Sequence, residues 1–278
     1  LKPFWLKAPW PIWPKFDSFD VCNPFCVMSC SNQDGGAEEA TGSGADAAET
    51  TPLGAGGPPE KFETEALAHY DENEFEECYK TFLAGVKDHP DNVRLQWLFA
   101  RACHDQGAEL LASGDKKAAE AVYREGLASA EMAVQLDDCV QQAHKWLAVL
   151  LGKVGDFSSL TDKIKDAFRI KEHALRAVEL SPDDSTTLHL LGVWCFSVAN
   201  VGWMQKKAAA ALFATPPESS YEEAESFFLK AEQGTYKFVE NRIMLGDAYA
   251  AMRRPADARA WYRKAAELPS ESKKQAAM

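Results

Sequence analysis

The chain has 278 residues, 46% of them hydrophobic, and 30 Lys and Arg against 42 Asp and Glu give it a formal charge of −12. Phosphate recognition needs clustered basic groups, so this acidic balance argues against nucleic acid as a partner. The folded-region cysteines Cys78, Cys103, Cys139 and Cys195 are widely spaced and no N-x-Ser/Thr site occurs, which disfavours a disulfide-built secreted scaffold and fits a reducing cytosolic compartment.

Residues 1–60 are unfit for a core. Trp5, Trp10 and Trp13 alternate with Pro3, Pro9, Pro11 and Pro14 and with Lys2, Lys7 and Lys15, a proline density that forbids a helix. Indoles and lysines in this arrangement suit a membrane interface, and equally a leader foreign to the native start. Cys22, Cys26 and Cys30 recur at four-residue intervals; lipidation or a metal is conceivable, but no fourth ligand lies close, and incidental thiols are expected. From Phe16 to Glu60 there are eight carboxylates and no Lys or Arg, and from Ser31 to Pro59 the residues are mostly small or acidic. Disorder is expected there. Gly42, Gly44 and Ala47 spell G-x-G-x-x-A, but no strand precedes them, so no nucleotide site is read. The chain opens on Leu1 in place of Met, so a fragment is expected, and an anchor ahead of it would place the protein on a membrane.

From Lys61 the pattern is helical, with Pro90, Pro182 and Pro269 as stops. A first hairpin is expected over about 62–89. A second starts at Asn92, with its partner helix over 115–136. A third opens near Val140 and closes with Ile170 to Leu180. In the fourth, Leu188, Leu191, Gly192 and Cys195 precede Ala224, Phe228 and Ala231; in the last, Leu245, Gly246 and Tyr249 precede Ala258, Tyr262 and Ala265. This is the spacing of a tetratricopeptide repeat: Gly246 and Ala258 allow close helix approach, and Tyr249 and Tyr262 are expected between neighbouring hairpins. Gly192 to Ala224 spans 32 residues where Gly246 to Ala258 spans 12, so Asn200 to Ser219 is an insertion. A smaller surplus of about ten residues separates Ala148 from Ile170. Leu188 to Met204 reads as a buried repeat helix, being too short and too polar to span a membrane. The expected fold is all-α, a tetratricopeptide-repeat-like α-solenoid over 61–278 with a concave flank open to a partner, preceded by a disordered arm over 1–60.

Chemistry is sparse. No H-E-x-x-H, G-x-x-x-x-G-K-Ser/Thr or G-x-S-x-G string occurs, so no enzyme, cofactor or metal centre is expected. His144, His173 and His189 fall on different helices and would matter only if they converge. Trp146, Trp194 and Trp203 are large for repeat positions; they either fill gaps between longer helices or line an apolar groove for a partner helix or an acyl chain.

Several strings carry a family resemblance: His144-Lys145-Trp146, Ile170-Lys171-Glu172-His173, Leu191-Gly192-Val193-Trp194-Cys195-Phe196 and Leu212-Phe213-Ala214-Thr215-Pro216-Pro217. The stretch they occupy resembles the regulator of microtubule dynamics family. The resemblance implies a non-enzymatic adaptor that engages microtubules, tubulin or a microtubule-bound protein, in the cytoplasm and at the spindle, with an effect on chromosome segregation. As the alternative it implies a phospholipid-binding or tethering module at contacts between the mitochondrion and the endoplasmic reticulum. Tubulin's tails and this chain are both acidic and repel, so a local basic face is required. Lys163, Arg169 and Arg176, at offsets of six and seven residues, are expected on broadly one side of a helix and to form a strip with Lys165 and Lys171; Lys206, Lys207, Arg253 and Arg254 are further candidates.

Overall fold

A computed structural model describes residues 57–202, 210, 217–234 and 237–268, and among these every regular element is helical. In chain order they are α1 (Pro59–Asp71), α2 (Phe75–Asp88), α3 (Val93–Ser113), α4 (Lys116–Leu136) and α5 (Gln141–Gly155). Then follow α6 (Leu160–Leu180), α7 (Ser185–Ala199), α8 (Tyr221–Gln233), α9 (Val239–Ala251) and α10 (Pro255–Ala266). Consecutive helices pair as five hairpins, and the second helix of each also packs on the first helix of the next. That connectivity is a solenoid. The expected arm lies outside the described residues except for its last four.

Local chemistry sets the helix starts. Asn92, Asp115, Ser159, Asp184 and Ser220 each accept a bond from the backbone N–H three residues on, at 3.0, 3.0, 3.2, 3.2 and 3.1 Å. Each such cap stabilises its helix by about 1 kcal/mol. Gly114, at φ 93°, closes α3 in the left-handed conformation that glycine adopts without strain. The Ser159 cap also explains the surplus before Ile170: it starts α6 at Leu160, so much of the extra sequence is additional helix. Most of the longer insertion falls outside the described residues; at its near end Asn200 Oδ1 accepts from the Tyr221 hydroxyl at 3.1 Å.

Within hairpins, a glycine on the first helix faces an aromatic ring on the second. A Cβ on Gly192 would overlap the Phe228 ring, and one on Gly246 would overlap the Tyr262 ring. Tyr262 therefore lies across its own hairpin, its hydroxyl donating to Asp247 Oδ1 at 2.7 Å, and does not fill the gap between hairpins as expected. Tyr249 does face back, toward Glu225 of α8.

The middle of the stack is covered to an unusual degree: every residue from Ala143 to Gly155 on α5, and from Ser185 to Cys195 on α7, is buried. These helices offer no open concave flank, which corrects the expectation of one. A helix buried all round must neutralise its own charges. Lys145 Nζ lies 3.5 Å from Asp184 Oδ2, which also accepts from Gln141 Nε2 at 2.9 Å. Burial pushes the Lys145 ammonium pKa down. Burial would raise that of Asp184, but Lys145 and the Thr187 hydrogen bonds outweigh it and hold the carboxyl below its ordinary value.

Asp184→Ala is expected to strand the buried Lys145 charge and cost about 3–5 kcal/mol, read as a lower urea midpoint. Because the folded carboxyl titrates below its unfolded value, its contribution is full above about pH 4 and is lost as the pH falls through the folded value. Gly192→Ala should destabilise by about 1–3 kcal/mol through overlap with Phe228. Gly155→Ala, whose Cβ would meet nothing within 4 Å, should be neutral or stabilise by about 0.5–1 kcal/mol in the same measurement.

Candidate functional site

The unequal helices of the third hairpin, 15 and 21 residues, leave a cleft. The end of α5, the first half of α6 and the end of α7 diverge around about 50 Å³ of space. Its apolar wall comes from Leu151, Ala167, Ile170, Trp194 and Val198, and its polar edge from Asp156, Lys163 and Asp166. Gly152 and Gly155 keep the α5 side low. Trp194 is fixed by its indole N–H, which donates to the Ala167 carbonyl at 2.8 Å, and the Lys171 ammonium lies 4.7 Å from a ring centroid of the same side chain.

The edge is electrically mixed. Partial burial raises the Asp156 carboxyl pKa, against the pull of Lys163 and Lys153. Burial brings Lys153 down to about 8. Asp166 is also raised by burial, against Arg169, whose Nη1 lies 3.5 Å away. Such a cleft suits one side chain with an apolar stem. It is far smaller than the roughly 300–1,000 Å³ of sites that enclose drug-sized ligands, so no acyl chain fits in it.

The expected basic strip separates into three groups. At about 100° of helix per residue, an offset of six carries Arg169 some 120° away from Lys163, which is why they do not share a side. Lys163 lines the cleft. Arg169 reaches Glu131 on α4 at 2.5 Å, while Arg176 lies 3.7 Å from Asp138 in the turn after α4 and 3.3 Å from Glu179. Lys171 turns the other way, 3.8 Å from Glu223 on α8. Lys165 is exposed and makes no ion pair among the described residues. Most of the strip therefore ties hairpins together. Arg254 is similarly engaged, 2.9 Å from Asp257 and stacked on Tyr249 at 4.6 Å.

Of the tryptophans, Trp194 lines the cleft, whereas Trp146 packs 5.5 Å from the His104 ring in the core. Trp203, Lys206 and Lys207 lie outside the described residues, as do Cys22, Cys26, Cys30 and the glycine string at 42–47. Two of the three histidines converge: His144 Nδ1 lies 3.0 Å from His173 Nδ1, while His189 bonds Asn241 at 3.1 Å on another hairpin. Among the described residues no three candidate ligands gather for a metal, and no helix is long and apolar enough to cross a membrane. Sequence reasoning missed Gly155, Asp156 and Asp166, whose only signal was the length of the third hairpin.

Comparison with known proteins agrees with this architecture. A thermophilic TPR protein of Thermus thermophilus superposes with a TM-score of 0.53 at 15% identity, covering 76% of this chain and 91% of that one; it speaks to the fold alone. Regulator of microtubule dynamics protein 1 of Bos taurus is 38% identical over 204 residues, 73% of this chain and 63% of the relative. Regulator of microtubule dynamics protein 3 of Xenopus laevis is 34% identical over 65% of this chain and 38% of the relative. The chain thus spans less than two thirds of the length of these relatives. The family described as Regulator of microtubule dynamics protein 1-3 matches residues 63–278, and the chain belongs to that family.

Proposed function

We propose that the chain is a non-enzymatic binding protein that acts on microtubules, directly or through a microtubule-bound protein, and does so at the spindle, where it affects chromosome segregation. The observation that carries this reading is the family match over residues 63–278, nearly the whole helical stack. The contact is placed at the cleft between α5, α6 and α7, because the inner faces of α5 and α7 are buried and the cleft joins an apolar wall to Lys163 on its edge. Lys165, two residues on and about 200° further round α6, adds an exposed charge on its outer side. Lys206 and Lys207 follow α7 in sequence, outside the described residues, and are kept as candidates for the contact on their charge alone. A membrane location, including the mitochondrial outer membrane, and lipid binding remain the weaker reading, since the described apolar space is too small for an acyl chain.

The test is co-pelleting with taxol-stabilised microtubules. The chain should pellet at physiological salt, and Lys163→Glu with Lys165→Glu should weaken pelleting several-fold and flatten its loss with salt. Gly155→Leu, which places a side chain in the open space of the cleft, should weaken pelleting with the helical circular dichroism unchanged. A chain that stays in the supernatant with no added partner restoring it overturns the reading; normal pelleting by both variants overturns the placement at the cleft.

A further inference from the structure

The convergence of His144 and His173 joins α5 to α6 outside the cleft, and its geometry fixes a proton count. His144 Nε2 lies 3.1 Å from the Asp138 carbonyl and 3.0 Å from Asp138 Oδ1. Both are acceptors, so Nε2 carries the hydrogen. In a neutral ring that leaves Nδ1 as an acceptor, and its 3.0 Å approach to His173 Nδ1 requires the hydrogen to sit on the His173 nitrogen. His173 is thereby held in its Nδ1–H tautomer, with Nε2 unprotonated on a half-buried ring.

We propose that Asp138, His144 and His173 form a proton-counting clasp that joins the turn after α4 to α5 and α6, stays closed with one added proton, and opens with the second. The first proton goes to His173 Nε2. Its Nδ1–H still donates to His144, now with charge assistance, and the bond strengthens. A second proton has only His144 Nδ1 to occupy; two N–H groups then face each other and the contact breaks.

Charged groups surround the pair on every side. On α6, Glu172 supports a charged His173, while Arg169 opposes it, as does His144 from α5. The turn supplies Asp138, which also meets Arg176 of α6 at 3.7 Å. On α4, Glu131 is engaged by Arg169, and the next charge on α5, Lys145, is turned toward Asp184. Burial first, and His144 second, lower the His173 pKa.

The experiment is a pH titration of the chain from 8 to 5 with long-range proton–nitrogen NMR of the histidine rings. The expected result is an Nδ1–H tautomer for His173 at pH 8 and a first step shared by both rings, with about one proton taken up by the pair by pH 5 where two free imidazoles would take nearly two. In His173→Gln, whose amide can still donate to His144, the step shared by the two rings should disappear. An Nε2–H tautomer for His173, or two independent curves in the unaltered chain, overturns the proposal. The tautomer reading needs no variant, so it decides even where His173→Gln fails to fold.

Discussion

Everything in this molecule is hung on the contact between a glycine on one helix and an aromatic ring on its partner. Gly192 against Phe228 and Gly246 against Tyr262 sit at the same place, eight residues after the residue that caps each first helix. Gly107 against Tyr123 repeats the device one heptad later in the long second hairpin. With no Cβ to hold them apart, the helices come close enough to bury Phe228 and Tyr123 completely, each burial worth about 2–3 kcal/mol, while Tyr262 stays partly open to solvent. The close approach also fixes where the second helix of each hairpin presents its other side to the next one.

That constraint makes the third hairpin informative, because it departs from it. α6 runs to 21 residues against 15 for α5, and Gly155 faces open space beside a cleft that Gly152 also lines. The consequence is a cleft at the extended end. At the other end of the same pair, where no ring closes the contact either, the joint is polar: His173 on His144, His144 on Asp138, and Arg176 on Asp138. One hairpin thus carries an apolar opening and a titratable seam about two helical turns apart. The two ends do different physical work on a single pair of helices.

Much of the architecture was legible because it is written locally. Asn92, Asp115 and Asp184 announce helix starts, Pro90 and Pro182 the turns before them, and Gly192 and Gly246 the close contacts. What stayed illegible depends on direction and on partners far away in sequence. Tyr262 was expected between hairpins, but only the observed position of Gly246 shows which neighbour it covers. The basic residues of α6 suggest a strip only if offsets of six and seven residues count as one side; an offset of six is about 120° off, and the acidic groups on α4 and α8 divide them. The open concave flank failed for a related reason. α5 carries Lys145 and Lys153 yet is buried nearly all round, with Lys145 answered by Asp184, 39 residues on.

The decisive measurement is hydrogen–deuterium exchange of the chain with and without microtubules, or with the microtubule-bound protein that recruits it. The account predicts added protection confined to the end of α5, the first half of α6 and the end of α7, around Leu151, Ile170 and Trp194. Protection that leaves those segments unchanged and appears on α1, α2 or α10 would contradict it.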